Sequence, residues 1–357
     1  MKLESWGWSA EWRSRIPESA GPGQFPGRVV FSSRGMHRVV AERGENWAVV
    51  KGALRHSLTG TQAFPVVGDW VLLRAEPQSD TWLLSHILPR RSAFSRNNAG
   101  MTTEEQIIAS NCDCVFAVCG LDGGRNFSLR GLERVLTCTW NSGAVPVIVL
   151  NKTDLCDDVE GARLQAESIA PGVDVRCVSC VTGSGFDDLS PYLGTGRTVA
   201  LIGRSGVGKS SIINRLAGTE VLRTGEIRDQ DHRGRHTTTH RELVKLPAGG
   251  LLLDTPGLRE LQLWGEETSL QDAFSDIEEL GRQCRFRDCR HAGEPGCAVQ
   301  EALADGRLDH GRFESYLDLQ SELRFLKKRQ DIRARLEEKR RQKSFGRRRK
   351  KLKYRTG

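Results

Sequence analysis

Residues 203–211 read GRSGVGKSS and match the phosphate-binding pattern G-x-x-x-x-G-K-[ST]. The apolar run 198–202 before the match predicts a strand, and residues 211–217 after it have helical spacing. A strand that feeds a glycine loop at a helix N-terminus lets backbone N–H groups bind phosphates. The stretch therefore predicts a nucleotide site rather than a glycine-rich turn without a ligand. The predicted nucleotide contacts are Gly203, Arg204, Ser205, Gly206, Val207, Gly208, Lys209, Ser210 and Ser211.

Length, charge and cysteine content limit the classes of protein that fit. The chain has 357 residues, and at roughly 100–200 residues per domain we expect three domains. A net charge of +8 and a pI near 9.1 favour a polyanionic partner. Residues 1–15 carry no apolar signal-peptide core, and no run of about 18 apolar residues predicts a membrane span. We therefore expect a cytoplasmic protein with no membrane partner, whose clustered cysteines bind metal.

The N-terminal part, residues 1–95, predicts an all-β barrel behind a short extension. Trp6, Trp8 and Trp12 in the extension could pack on the body or contact a partner, and packing is favoured. About five short strands between residues 27 and 88 predict a small barrel of the OB-fold type, followed by a linker at 89–100. Such barrels bind nucleic acid or act as scaffolds. Basic residues favour RNA here, namely Arg28, Arg34, Arg38, Arg43, Lys51 and Arg55.

Residues 96–270 predict an α/β domain, because strands and helices alternate along this part of the chain. Continuous apolar strands separated by helices imply a mostly parallel sheet covered on both faces. Ligands of such a sheet bind at the carboxyl ends of its strands, so motifs that directly follow strands should meet in space. The predicted strands are 112–119, 145–150, 173–178, 198–202, 241–246 and 251–253.

The sequence NKTD at 151–154 directly follows a predicted strand and matches the N-K-x-D pattern of guanine-specific sites. The Asp154 carboxylate can accept paired hydrogen bonds from the ring N–H and the exocyclic amine of guanine, a donor pair that adenine lacks. Asn151 is predicted to reach the other edge of the base, and the Lys152 stem to lie over its face. Two residues after the next strand are predicted to support the base through main-chain groups. The predicted base contacts are therefore Asn151, Lys152, Thr153, Asp154, Ser179 and Cys180.

A second phosphate-side motif, D-x-x-G, begins at Asp254 and ends at Gly257. Asp254 is predicted to hold Mg²⁺ through water, together with the Ser210 hydroxyl. The Gly257 N–H is predicted to sense the γ-phosphate, and Lys209 to reach the terminal phosphates as a point charge. These four residues are the predicted catalytic group around the phosphates.

The polar run 224–240 has too little apolar content to order itself and predicts a switch loop, the alternative being a surface turn. Thr238, the middle one of three consecutive threonines, is the predicted ligand of Mg²⁺ and the γ-phosphate. Leu258 stands where many related GTPases place a water-orienting glutamine, which predicts slow intrinsic hydrolysis. His236, His240 or a group from a bound partner would then position the attacking water.

The order of the motifs is unusual, because the guanine pattern precedes the phosphate loop. A circularly permuted GTPase domain explains this order, since only the chain ends move and strand adjacency is kept. The D-x-x-G segment then leads directly into the C-terminal region. We therefore expect the nucleotide state to act on that region.

The C-terminal part, residues 271–357, predicts an α-helical zinc-binding domain with a basic tail. Four residues are spaced C-x4-C-x-H-x5-C, which predicts a closed, tetrahedral, structural zinc site rather than a chance cluster of thiols. The helical pattern 309–342 and the end of the chain are dense in Arg and Lys, which favours contact with RNA phosphates. The predicted zinc ligands are Cys284, Cys289, His291 and Cys297, and the remaining cysteines are expected to be mostly core thiols.

In this order, the motifs resemble the bacterial ribosome small-subunit-dependent GTPase A family (RsgA) over nearly the whole chain. The resemblance rests on NKTD at 151–154, GRSGVGKSS at 203–211, GRHTTTHREL at 234–243, DTPG at 254–257 and the Cys3His set. It implies an OB-fold, a circularly permuted P-loop GTPase domain and a zinc domain, with one structural zinc ion and Mg²⁺–GTP. It also implies binding to the 30S ribosomal subunit and its 16S rRNA late in maturation, with GTP hydrolysis to GDP stimulated by the subunit. We further expect a monomer.

Two other classes of protein fit part of the pattern. An ATP-dependent enzyme could use the same phosphate loop, but Asp154 argues against it. A nucleic-acid-binding protein could carry a vestigial nucleotide site, but the intact Lys209, Ser210 and Asp254 argue against decay. A GTPase that acts on the small ribosomal subunit is therefore the expected function.

Overall fold

The computed structural model describes residues 2–33, 35–52, 54, 64–76, 79–97, 105–124, 126–220, 241–254, 267–325 and 328. Along the sequence these ranges form a barrel, an α/β sheet and a group of helices, which confirms the three predicted parts of the fold. The domain boundaries at 95/96 and 270/271 stay predictions. Within the described ranges, no helix combines the length and the apolar character needed to cross a bilayer.

Five strands close the N-terminal barrel: β1 (Phe25–Ser33), β2 (Met36–Ala41), β3 (Gly44–Val50), β4 (Trp70–Arg74) and β5 (Trp82–Ile87). They run in the order β1-β2-β3-β5-β4, and β4 pairs back with β1. Neighbouring strands are antiparallel except β3 and β5, which are parallel. This closed five-stranded arrangement confirms the OB-fold barrel. Its interior is filled by Val29, Val39, Ala41, Ala48, Val71, Leu73, Trp82 and Leu84.

The N-terminal tryptophans pack onto the body of the protein, as expected. Trp12 lies on the short helix α1 (Ala10–Ser14) and is 1% exposed. The ring centroids of Trp8 and Trp12 lie 4.8 and 6.0 Å from that of Trp70 on β4. Each such aromatic pair adds about 0.5–1.5 kcal/mol beyond the area that it buries. The extension is therefore an integral part of the barrel wall.

Arg28 on β1 is buried, so its assignment as an RNA-facing residue is wrong. Its exposed fraction is 2%. The guanidinium donates to Thr198 Oγ1 at 2.8 Å and to Asn111 O at 3.1 Å, and also to the Trp6 carbonyl. Burial lowers the pKa of Arg28 to about 10, which still leaves the side chain charged at neutral pH. Arg28 therefore ties together separate segments of the chain instead of meeting a polyanion.

Residues 89–100, predicted to be a linker, contain a strand. β6 (Ala93–Asn97) pairs antiparallel with β7 (Glu105–Ser110) in a separate two-stranded sheet. Ser110 at the end of β7 donates through its hydroxyl to Asp69 Oδ1 at 2.6 Å, next to the barrel strand β4. The connection between the barrel and the α/β domain is therefore a structured junction.

A mostly parallel sheet forms the central domain, as predicted. Its strands in spatial order are β10 (Val175–Cys177), β9 (Val145–Asn151), β8 (Cys114–Gly120), β11 (Thr198–Ile202), β13 (Leu251–Asp254) and β12 (Arg241–Lys245). The first five are parallel, and β12 is antiparallel to β13. Helices α2 (Leu129–Ser142) and α3 (Val159–Ser168) pack on one face, and α4 (Lys209–Ala217) packs on the other. Both faces are therefore covered.

The barrel and the central sheet are continuous through one pair of strands. β12 pairs with β1 through Phe31 opposite Glu242 and Ser32 opposite Arg241, which makes a single eleven-stranded sheet. An ion pair between Arg38 on β2 and Glu242 lies beside this pairing. Because β12 directly follows the predicted switch run 224–240, the barrel is hydrogen-bonded to the strand that leaves this run.

Between residues 267 and 325, the described stretch of the C-terminal part, the chain forms four helices: α5 (Glu267–Ala273), α6 (Ser275–Arg282), α7 (Ala298–Ala304) and α8 (310–325). Arg312 on α8 lies at the centre of their contact with the GTPase domain. It pairs with Glu133 on α2 at 2.9 Å, and with Asp276 on α6 at 2.6 Å. The side chains of Arg312 and Glu133 are 5% and 2% exposed. Losing one partner of a buried ion pair costs about 3–5 kcal/mol, so this network fixes the helices on the GTPase domain.

The cysteines in the strands and in α2 are core thiols, as expected. Burial raises the pKa of the Cys112, Cys114 and Cys138 thiols to about 12 and that of Cys119 to about 11. Such thiols stay protonated and unreactive at neutral pH. The remaining free thiols that are not predicted metal ligands are half-buried, namely Cys156, Cys177 and Cys180.

Candidate nucleotide site and metal centre

The phosphate loop joins the end of β11 to the start of α4, as the sequence predicts. Gly206 and Gly208 have φ values of 85° and 96°, in the left-handed region that favours glycine. A Cβ on Gly208 would lie 2.2 Å from Asn151 Nδ2, and a Cβ on Gly203 would lie 2.3 Å from Val118 O. Glycine is therefore required for the loop to pack this closely against the ends of β8 and β9.

Lys209, the first residue of α4, folds back over the loop. Its Nζ donates to Gly203 O at 2.8 Å and to Arg204 O at 2.7 Å. The ammonium group is thus held at the loop that the sequence assigns to the phosphates. Ser210 follows it in the first turn of α4, where N–H groups without helical partners favour an anion.

The guanine motif lies directly against the phosphate loop. Asn151 ends β9, is 1% exposed, and donates through Nδ2 to Val207 O at 2.9 Å. Asp154 lies in the single turn Thr153–Leu155 and accepts a hydrogen bond from the Ser179 hydroxyl. The structure therefore brings the two motifs together at the carboxyl ends of β9 and β11, two parallel strands that flank β8, despite their separation in sequence.

The segment after β10 forms a compact loop beside Asp154. Ser179 Oγ accepts hydrogen bonds from the backbone N–H groups of Val181 and Thr182 at 3.2 and 3.1 Å. Cys180 Sγ lies 3.4 Å from Asn151 Oδ1, to which it donates. Ser179 and Cys180 thus contact the guanine motif itself, while their support of the base stays a prediction.

Among the described residues, three that lie at the site belong to no sequence motif. Asp122 and Asn126 lie in the loop after β8, and Arg215 lies on α4. Arg215 donates to Cys180 O at 3.0 Å and stacks over the Phe186 ring at 5.4 Å, so it connects the phosphate-loop helix to the base loop. The rule that ligands bind where parallel strands end could have indicated the Asp122 loop, but no residue pattern identifies Arg215.

Asp254 ends β13, whose Leu253 lies opposite Ala200 of β11. Its backbone is therefore at the same edge of the sheet as the phosphate loop. Only the backbone of this residue is described. Predictions for other residues lie outside the described ranges, namely Arg34, Arg55, His236, Thr238, His240, Gly257 and Leu258, as does the basic tail after residue 328.

The four predicted metal ligands meet in the C-terminal part. One ligand atom from each of them lies within 4.8 Å of all the others. Cys284 Sγ lies 3.9 Å from Cys297 Sγ, and His291 Nδ1 lies 3.6 and 3.4 Å from these sulfurs. Sulfurs at about 2.3 Å from a tetrahedral zinc ion would be about 3.8 Å apart. Cys284, Cys289, His291 and Cys297 could therefore hold one metal ion, and their spacing and donor types fit zinc.

The backbone around these ligands is shaped by Glu294. Its carboxylate accepts hydrogen bonds from the N–H groups of Arg290 and Ala292 at 3.1 and 2.7 Å. The backbone N–H of Glu294 itself, followed by those of Ala292 and Arg290, lowers the pKa of this carboxyl, so the group stays charged. His291 between them has a φ of 57°. Hydrogen bonds within residues 290–294 therefore stabilise a turn that places the His291 imidazole near the cysteines.

Comparison with known proteins gives one consistent family. A model described as RsgA GTPase matches residues 87–264. The chain is 41% identical over 355 residues to "Small ribosomal subunit biogenesis GTPase RsgA" of Syntrophotalea carbinolica, covering 97% of this chain and 96% of that protein. It is 43% identical over 325 residues to "Small ribosomal subunit biogenesis GTPase RsgA 1" of Oceanobacillus iheyensis, covering 91% and 92%.

Solved structures share the fold. YjeQ from Thermotoga maritima aligns with a TM-score of 0.63 at 27% identity, covering 84% of this chain and 98% of that chain. YloQ, described as a circularly permuted GTPase, aligns with a TM-score of 0.61 at 26% identity, covering 87% and 98%. The circular permutation predicted from the order of the motifs is thereby confirmed.

Proposed function

The chain belongs to the RsgA GTPase family, and we infer from this that it is a GTP hydrolase of small ribosomal subunit biogenesis. The observation that carries this function is the contact between the two nucleotide motifs. The hydrogen bond from Asn151 to Val207 at 2.9 Å joins the guanine motif to the phosphate loop. A single ligand that carries both a guanine and a chain of phosphates fits such a site.

We propose the following roles for the nucleotide-contacting residues. Asp154 accepts the two adjacent N–H donors of guanine, and Ser179 orients its carboxylate. Asn151 reaches the opposite edge of the base, and the Lys152 stem covers its face. Thr153 and Cys180 form the rest of the pocket around the base. The residues of the phosphate loop, from Gly203 to Ser211, donate backbone N–H groups to the phosphates.

Other residues are proposed to act on the phosphates, on Mg²⁺ and on the attacking water. Lys209 carries positive charge to the terminal phosphates, while Ser210 and Asp254 would hold Mg²⁺, which neutralises charge that develops on the phosphate oxygens. Thr238 and Gly257 are proposed to close on the γ-phosphate. With Leu258 in place of a glutamine, His236, His240 or a group from the ribosomal subunit orients the attacking water.

We propose that the Cys3His cluster holds one structural zinc ion. Three thiolates and one imidazole fill a tetrahedral coordination sphere and leave no position for a substrate. Zinc here would tie the turn that carries Cys289 and His291 to the ends of α6 and α7 and so complete the fold of the C-terminal part.

The proposed partners are the 30S subunit with its 16S rRNA, in the cytoplasm, with the protein acting as a monomer late in subunit maturation. Several observations support an RNA-facing barrel surface on β2, β3 and their turns. Trp47 and Met36 are 38% and 41% exposed there. Arg43 in the turn between β2 and β3, whose guanidinium lies 4.5 Å from the centre of the Phe25 ring, and Lys51 directly after β3 add positive charge to the same hairpin. Stacking aromatic rings next to cations is typical of surfaces that bind RNA. The basic tail is proposed to contact rRNA phosphates as well.

The base assignment is tested by the substitution Asp154→Asn. Two hydrogen bonds to a charged acceptor, each worth about 1.5–3 kcal/mol, are altered, so we expect GTP affinity to fall by about 100-fold or more. Xanthosine triphosphate, which has a carbonyl where guanine has the amine, should bind the variant better than GTP does. Competition between the two nucleotides for a fluorescent guanine nucleotide measures this, with Asp157→Asn, an exposed neighbour, as control. Unchanged selectivity in Asp154→Asn would contradict the base assignment.

A further inference from the structure

The loop after β8 is wedged between the guanine motif and the phosphate loop. Leu121 N donates to Asn151 O at 2.8 Å, which fixes the start of the loop to the end of β9. A Cβ on Gly206 would lie 3.9 Å from Asn126 Nδ2, so the other end of the loop reaches the phosphate loop. Side chains of this loop can therefore act on both halves of the nucleotide site.

Asp122, a charged residue of this loop, meets the guanine motif. Its Oδ2 accepts a hydrogen bond from Lys152 Nζ at 2.6 Å and another from Asn126 Nδ2 at 2.8 Å. The side chains of Lys152 and Asp122 are only 27% and 19% exposed. Although partial burial acts to raise the pKa of Asp122, the bonds from Lys152 and Asn126 outweigh it and lower that pKa. The carboxylate is therefore charged whenever the protein binds nucleotide near neutral pH.

Lys152 is constrained at both ends of its side chain. Its backbone has a φ of 65°, in the left-handed region, which for a residue other than glycine costs about 1–3 kcal/mol. This backbone conformation fixes the direction in which the side chain leaves the backbone, and Asp122 holds the ammonium group at its other end. The aliphatic stem therefore joins two held points, the backbone of Lys152 and the Nζ at Asp122. A free lysine side chain carries about 2 kcal/mol of rotamer entropy, and a side chain already held in place loses less of it when the ligand binds.

We propose that Asp122 is a positioning residue for the guanine base, which acts by holding Lys152 extended so that its stem covers the face of the base. This inference rests on the proposed guanine nucleotide site and deepens it. Because Asp122 acts on the base and not on the γ-phosphate, it should favour GTP and GDP to the same extent. It should also leave the rate of the chemical step at saturating GTP nearly unchanged.

The test compares Asp122→Asn with the wild-type protein. Because the substitution removes one charge of a half-buried pair, we expect the Kd of GDP, measured by calorimetry, to rise about 5–10-fold. The KM of GTP should rise by the same factor, and kcat should stay within about twofold of the wild-type value. The control is Asp187→Asn, an exposed acid beside the base loop, which should change none of these values. A fall in kcat without a change in the Kd of GDP would overturn the proposal.

A double-mutant cycle separates positioning from a general structural effect. In the Lys152→Met background the Asp122→Asn change should have no further effect on the Kd of GDP, because the residue through which it acts is absent. Additive effects of the two changes would overturn the proposal and indicate that Asp122 only supports the loop. If the wild-type protein bound no guanine nucleotide at all, the proposed function would fail together with this inference. Nucleotide binding to the wild type that is unaffected by Asp122→Asn would overturn the inference alone.

Discussion

Replacing Lys209 with alanine is expected to lower GTP turnover by about 10²–10³-fold. A group of this kind, held in place before the reaction, stabilises charge that develops in the transition state, and its loss typically has an effect of this size. Lys209 meets this condition because the carbonyls of Gly203 and Arg204 hold its ammonium group at the loop. Phosphate release from GTP measures the change.

The matched control is Lys2→Ala, which removes an exposed lysine of the N-terminal extension and should leave turnover unchanged. Both variants should show the thermal unfolding of the wild type, since Lys209 lies at a helix start rather than in the core. Turnover in Lys209→Ala equal to that of the wild type would show that the loop at 203–211 is not the site of hydrolysis.

Replacing the proposed metal ligand Cys289 is expected to destabilise the fold of the C-terminal part strongly. Structural zinc contributes about 10–16 kcal/mol in small zinc domains, as much as the total stability of a typical domain of about 5–15 kcal/mol. The protein with Cys289→Ser should therefore lose its zinc and much of the helical structure between residues 267 and 325. Zinc content by atomic emission and helical content by circular dichroism measure the two losses.

The control for this experiment is Cys156→Ser, which changes a half-buried thiol outside the cluster. It should keep one zinc ion per chain and the full helical signal. The zinc assignment would be contradicted if the wild-type protein, purified without chelators, carried no stoichiometric zinc, or if Cys289→Ser kept both its zinc and its helices.

The clustering of the proposed nucleotide and metal residues could largely be predicted from the sequence, because each motif consists of closely spaced residues. The glycines at 206 and 208, for example, are required by the local backbone, and the phosphate loop appears at the expected strand end. The guanine motif is equally local, and the meeting of the two motifs follows from the properties of a parallel sheet. Similar reasoning gave the four proposed metal ligands, which lie within one short segment and meet in the structure.

Other features could not be predicted, since they depend on partners that are distant in sequence. The burial of Arg28 requires acceptors at Trp6, Asn111 and Thr198, and the local pattern of β1, which is buried at four consecutive positions, does not identify them. Strand β6 resembles a polar linker until its pairing with β7 is known. The pairing of β1 with β12 likewise joins two domains whose local patterns are complete without it.

The most direct test of the account is GTP hydrolysis by the purified protein, alone and with equal amounts of 30S, 50S or 70S particles, with Lys209→Ala as the blank. We expect slow turnover by the protein alone and at least about 100-fold stimulation by the 30S subunit, since a partner that completes the catalytic site of a GTPase can supply more than this. Turnover that none of the three particles changes would contradict the account and point to a different RNA partner.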